Sequence, residues 1–128
     1  MVPDAVLVFS DGVVGAGWVA LRYDAPSQDF EVRSLSAIVG AEVLGLDLSQ
    51  PLNPTDFASI HRAHLEHHLL VLRDQRITPQ QQVDFSQIFG LLLVHVLKSF
   101  QLAGYPEIMV ISNINENGVP IGLGDAGV

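Results

Sequence analysis

Apolar and polar positions alternate with different periods along this 128-residue chain, and each period marks a different kind of element. Phe30-Glu31-Val32-Arg33-Ser34-Leu35 begins with apolar and polar residues in turn, the two-residue period of a half-buried strand. Ile38 to Leu48 mixes β-branched residues with Gly40 and Gly45, which predicts a second strand with a bend or bulge. Asn53-Pro54-Thr55-Asp56 then supplies an N-cap, a proline at the first helical position and an acid in the first turn. The helix it opens is expected to run to Glu66, with Phe57, Ile60, His61, Ala63 and His64 near one face and Leu65 at its edge. Leu69-Leu70-Val71-Leu72 is a short apolar run ending in Arg73-Asp74-Gln75, the pattern of a buried strand leaving a core.

A second helix starts at Thr78-Pro79-Gln80-Gln81, a capping box in which Thr78 and Gln81 satisfy each other's backbone N–H groups. Phe85, Ile88, Phe89 and Leu92 follow as one apolar stripe, with Gly90 at the end of the helix or in its last turn. Glu107 to Ser112 predicts another strand, and residues 113–128 are glycine-rich without a helical period. At the other end, residues 5–21 are apolar but interrupted by Asp11 and three glycines, and no Lys or Arg precedes them. A signal peptide needs a positive start and a membrane span needs about 20 mostly uncharged residues, so neither fits. Val6 to Phe9 followed by Ser10-Asp11-Gly12 predicts a strand and turn instead. Residues 1–29 are read as an extension of unknown role ending in a polar linker, Tyr23 to Asp29, and the organised domain as residues 30–128.

Composition narrows the function. Hydrophobic residues make up 48% and charged residues 16%, which argues for a folded chain long enough for one domain. Fourteen acidic against six basic side chains leave a formal net charge of −8. A partner that reads a phosphate backbone carries the opposite sign, so nucleic acid is not an expected partner, nor is a membrane. Zero cysteines exclude disulfides, thiolate metal sites and a cysteine nucleophile, and an acidic chain of this kind fits the cytoplasm. No glycine-rich loop joins a strand to a helix, so a dinucleotide or P-loop site is unsupported.

Histidines are the candidate chemistry. His61, His64 and His68 are spaced so that all three can share a face of the first helix, and imidazole suits several transition metals. No carboxylate shares that face, so helix histidines without a ligand are the preferred reading. His64-Leu65-Glu66 has the His-X-acid pattern of an iron site, but residues i and i+2 of a helix point roughly 200° apart and cannot chelate one ion. His95 lies beyond Phe89-Gly90 in an irregular segment, where a side chain can be aimed into a pocket, with a surface or interface histidine as the alternative.

Several blocks together resemble the amino-terminal part of the TauD/TfdA (taurine and 2,4-dichlorophenoxyacetate) family of Fe(II)- and 2-oxoglutarate-dependent dioxygenases. They are Val39-Gly40-Ala41-Glu42-Val43 with Gly45-Leu46-Asp47-Leu48, Glu66 to Gln75, Ile77 to Gln82, and Phe89-Gly90 with His95 five residues on. The tail, Ile111-Ser112-Asn113-Ile114 through Gly122 to Gly127, resembles a branch of the same family. The resemblance implies a mixed α/β architecture, mainly β with outer helices. It corresponds to the first part of a double-stranded β-helix (jelly roll), incomplete in this chain. It also implies Fe(II) held by two histidines and a carboxylate, with positions open for 2-oxoglutarate and oxygen, and hydroxylation of a small organic substrate.

The family's His-X-Asp ligand pair should follow a Gly-Asp-Ala-Gly-like segment, and the sequence stops at Val128, a few residues short of it. The distal histidine and the 2-oxoglutarate-binding arginine belong further on. Eight barrel strands of about six residues also need a longer chain. The expectation is therefore a fragment that binds neither Fe(II) nor 2-oxoglutarate tightly and is inactive alone, the full-length protein being a possible homo-oligomer. By resemblance His95 is the histidine that hydrogen-bonds an anionic substrate group. Lys98 offers a positive charge where the family has an aromatic nearby, and Asn113, with Asn115 and Asn117, lies where a loop approaches the iron site. The alternative is a non-catalytic binding or interaction module that keeps only the scaffold.

Overall fold

The computed structural model describes residues 22–124, which divide between Leu91 and Leu92 into two compact units. The first contains strands β1 (Glu31–Ser34) and β2 (Ala41–Leu44), helix α1 (Pro54–His67), strand β3 (Leu70–Leu72) and helix α2 (Pro79–Gln87). Its sheet has the order β1-β2-β3, the first pair antiparallel and the second parallel. A parallel pair requires a long crossover, and α1 provides it. The register sets Ala41 beside Leu70 and Val43 beside Leu72, so the buried residues of both strands fall on one face. That face packs with Ile60, Leu46, Leu52, Ile77 and Phe85 in a single apolar core.

Both helix starts follow their sequence. The Asn53 side chain accepts from the Asp56 N–H at 2.8 Å, and Thr78 and Gln81 form the reciprocal capping box. Three strand and helix expectations are corrected. The second strand covers only Ala41–Leu44, not Ile38 to Leu48, because Gly45 turns the chain at φ +89°. A Cβ there would stand 2.8 Å from the Asp29 carbonyl oxygen, so the chain passes too close for any side chain. Helix α2 ends at Gln87, so Phe89 and Leu92 lie beyond it and the stripe is not one helical face. Gly90 likewise falls after the helix.

The polar stretch before β1 is fastened to this unit. Asp56, buried at 4% exposure, accepts from the Ser27 hydroxyl at 2.8 Å and the Gln28 N–H at 2.7 Å. The Gln28 side chain in turn accepts from the Asp47 N–H at 2.8 Å and donates to its carbonyl at 3.2 Å. The expected strand at Val6–Phe9 lies outside the described residues.

The second unit has a single-turn 3₁₀ helix (Lys98–Phe100), strands β4 (Gln101–Leu102) and β5 (Tyr105–Met109), and a hairpin of β6 (Asn115–Glu116) and β7 (Val119–Pro120). The strand expected at Glu107 to Ser112 begins earlier and ends at Met109, since Gly104 turns the chain back for antiparallel pairing with β4. Past it, Ile111 forms an isolated parallel bridge with Leu123. Gly122 permits that approach: a Cβ would meet the Ser112 nitrogen and the Val110 oxygen, each at 2.8 Å. Among the described residues no helix is long and apolar enough to cross a membrane.

Candidate functional site

In the first unit the histidines of α1 join an aromatic cluster rather than a ligand set. The His61 ring stacks on Phe57 at 5.6 Å and 14°, and Phe89 meets Phe57, His61, His64 and Phe85 edge-on at 5.4–6.2 Å. Such pairings contribute about 0.5–1.5 kcal/mol each beyond area burial. His64 is buried. The expectation that His68 shares their face fails: it is the C-cap of α1 at φ 65°, off the helix and exposed. Among the described residues no group of three His, Cys, Asp or Glu side chains could hold a metal ion. The residues described here therefore do not fit an Fe(II) centre.

The Arg73-Asp74-Gln75 block turns out to be a clasp. Gln75, 9% exposed, accepts from the Leu48 N–H at 2.9 Å and donates to the Leu46 carbonyl at 2.8 Å and the Arg73 carbonyl at 3.1 Å. One carboxamide thus satisfies buried backbone on both sides of the gap between the segment after β2 and the end of β3. Arg73 donates to Glu42 at 2.6 Å across the same strand pair, although its own side chain is 61% exposed. Nothing local in the sequence assigns these residues that work. The amide's reach over 27 residues leaves no local trace, and only the unusual polarity directly after an apolar strand hints at it.

In the second unit His95 is half-buried. Its Nδ1 accepts from the Leu97 N–H at 3.1 Å, and its carbonyl accepts from the Gln101 side chain at 2.9 Å. A neutral imidazole whose Nδ1 accepts carries its proton on Nε2, so the remaining nitrogen is a donor. Lys98 is exposed at the start of the 3₁₀ helix. Asn113 is exposed and borders an open groove with Ile111, Ser112, Leu123 and Gly124. No hydrogen bond among the described residues joins Asn113 to His95 or Lys98. The unit brings His95 and Lys98 near each other along the chain and leaves Asn113 on a separate groove.

Residues 31–127 match the family model described as "Taurine catabolism dioxygenase TauD, TfdA family". The chain belongs to this family. Among curated relatives, an alkylsulfatase from Acinetobacter baylyi is 35% identical over 71 residues, 55% of this chain and 22% of the relative. An (S)-phenoxypropionate/alpha-ketoglutarate-dioxygenase from Delftia acidovorans is 31% identical over 88 residues, 69% of this chain and 27% of the relative. The crystal structure of a taurine dioxygenase from Burkholderia xenovorans superposes with TM-score 0.57 at 36% identity, covering 63% of this chain and 28% of its own. A second structure from that organism, named as an alpha-ketoglutarate-dependent taurine dioxygenase, reaches 0.62 at 36% identity, over 69% of this chain and 32% of its own. The sequence thus spans about a quarter of the length of the TauD/TfdA relatives, and its short sheets and two helices correspond to part of a dioxygenase fold.

Proposed function

We propose that residues 30–128 are the amino-terminal portion of an Fe(II)- and 2-oxoglutarate-dependent dioxygenase that hydroxylates a small anionic organic substrate. The family match over residues 31–127 carries this reading. On this reading the jelly-roll barrel and the iron ligands are assigned to the larger part of the relatives' length that this sequence does not span. His95 is the proposed substrate contact: its Nε2–H is free to donate to an anionic group, with Lys98 adding positive charge and Asn113 a further polar contact. The acidic, cysteine-free composition supports a cytoplasmic setting.

The test compares the 128-residue chain with a protein extended along its reading frame, both titrated anaerobically with Fe(II) and assayed for succinate from 2-oxoglutarate. The expected result is stoichiometric iron binding and succinate release from the extended protein alone. Turnover by the short chain would mean that its own residues hold iron. An extended protein that binds no iron would turn the reading towards a non-catalytic scaffold module.

A further inference from the structure

We propose that Asn117 is a site of spontaneous covalent modification, converting through a cyclic imide to aspartate and isoaspartate. The residue caps the β6–β7 hairpin, with Asn117 at φ 52° and Gly118 at φ 79°, the Asn-Gly pairing that a two-residue turn of this hand favours. Three observations set it apart from the other asparagines. Neither its carboxamide nor the Gly118 N–H makes a hydrogen bond among the described residues, and a Cβ on Gly118 would meet nothing within 4 Å. The attacking nitrogen is therefore unshielded by partner or side chain.

Asn53 precedes a proline, which has no N–H to attack with, and its side chain is engaged as a helix cap. Asn113 precedes Ile114, whose N–H is committed to the Ser112 hydroxyl at 3.1 Å. Asn115 precedes Glu116 inside the strand pair. The hairpin is also weakly closed. Its ladder has only the pairs Asn115↔Pro120 and Glu116↔Val119, and proline donates no hydrogen bond. Ile121 donating to Ile114 at 3.1 Å closes its base. Local opening of so short a ladder frees the Asn117 backbone to rotate into the attacking geometry.

The step balances without an external oxidant or reductant. The deprotonated Gly118 nitrogen attacks the Asn117 side-chain carbonyl carbon; the new C–N bond closes a five-membered imide, and the amide nitrogen leaves as ammonia. Water then opens either carbonyl, giving aspartate or, with the backbone rerouted through the side chain, isoaspartate. Both products add one negative charge beside Glu116. Aspartate is compatible with the turn, whereas isoaspartate lengthens the backbone at the tip and removes the two-residue register.

The experiment incubates the whole chain at a series of neutral to alkaline pH values, followed by peptide mapping by mass spectrometry. Isoaspartate is labelled with an isoaspartyl methyltransferase. The expected result is progressive loss of the Asn117 amide with a rate that rises with pH, while Asn113 and Asn115 persist; N117Q and G118A each suppress the loss. A synthetic peptide of residues 111–123, treated alongside, calibrates the unfolded rate. An intact Asn117 in the folded chain under conditions that convert the peptide would overturn the proposal. So would equal conversion at all three positions.

Discussion

The two units spend their apolar residues in opposite ways. In the first, Leu70, Leu72, Ile60 and Ile77 are each at most 2% exposed, and helix, sheet and loops close over them. In the second, Ile111 is 76% exposed, Val119 65% and Ile114 58%, and the strands are two to five residues long. A crossover helix lets the first unit bury one face of β2 and β3 locally, because α1 folds back onto the strands that it connects. Among the described residues the second unit has hairpins but no helix of comparable length, and its apolar side chains are half-buried or exposed rather than buried. The sequence spans about a quarter of the length of these relatives, so whether further strands cover the second unit is a question for experiment.

The largest effect should come from breaking the well-packed side. Leu70 is completely buried between β2 and α1, and Leu70→Ala should cost about 2–5 kcal/mol through lost transfer energy and the cavity left behind. Equilibrium denaturant unfolding measures it. A loss no larger than that of a surface substitution would show that the first unit is not the stable part. The clasp comes next. Gln75→Leu leaves the Leu48 N–H and Leu46 carbonyl without their partner, at about 1–3 kcal/mol for each group. Gln75→Glu should not restore it, since a carboxylate still accepts from Leu48 but sets a buried charge against the Leu46 and Arg73 carbonyl oxygens. If both variants melt like the parent, the carboxamide is not what holds the strand ends together.

These two residues also show how far the sequence could be read. Leu70 is legible because a four-residue apolar run bounded by polar segments is too short for a helix and fits a buried strand. The caps at Asn53 and Thr78 were legible for the same reason: their partners lie three residues away. Gln75 and Asp56 were not, since their partners lie 27 to 29 residues off and depend on how the loops fold. His68 leaves the histidine face because α1 ends at His67 and the chain turns left-handed at φ 65°, so the helical spacing from His61 and His64 no longer applies. The candidate site was legible only through family resemblance. Nothing in the residues around His95 says that its Nδ1 accepts from Leu97.

A functional test of the second unit has a smaller effect and a different readout. In the extended protein, His95→Ala removes a hydrogen bond to a charged group worth about 1.5–3 kcal/mol. Substrate affinity should then fall by about one to two orders of magnitude, at 1.4 kcal/mol per tenfold. Iron and 2-oxoglutarate binding should stay as they are. His61→Ala, made inside the aromatic cluster, should instead lower stability and spare affinity. Substrate titration of both variants in the anaerobic iron and 2-oxoglutarate complex separates the two; equal losses would remove His95 from the site.

The smallest effect sharpens the comparison most. Ile111 is 76% exposed, so little surface returns to water when its side chain is cut back. Surface changes away from special features usually stay within about 0.5 kcal/mol, and Ile111→Ala in the 128-residue chain should do the same. Its aggregation should fall, because one of the exposed large apolar side chains of this unit is gone. In the extended protein the same substitution should cost more, approaching the large-to-small range of about 2–5 kcal/mol if added strands cover the position. Denaturant midpoints of the two chain lengths, each with and without the change, form a cycle whose coupling reports that burial. A coupling of zero would mean that Ile111 faces solvent in the complete fold too, and that the sparse packing of the second unit is its own property rather than the mark of missing neighbours.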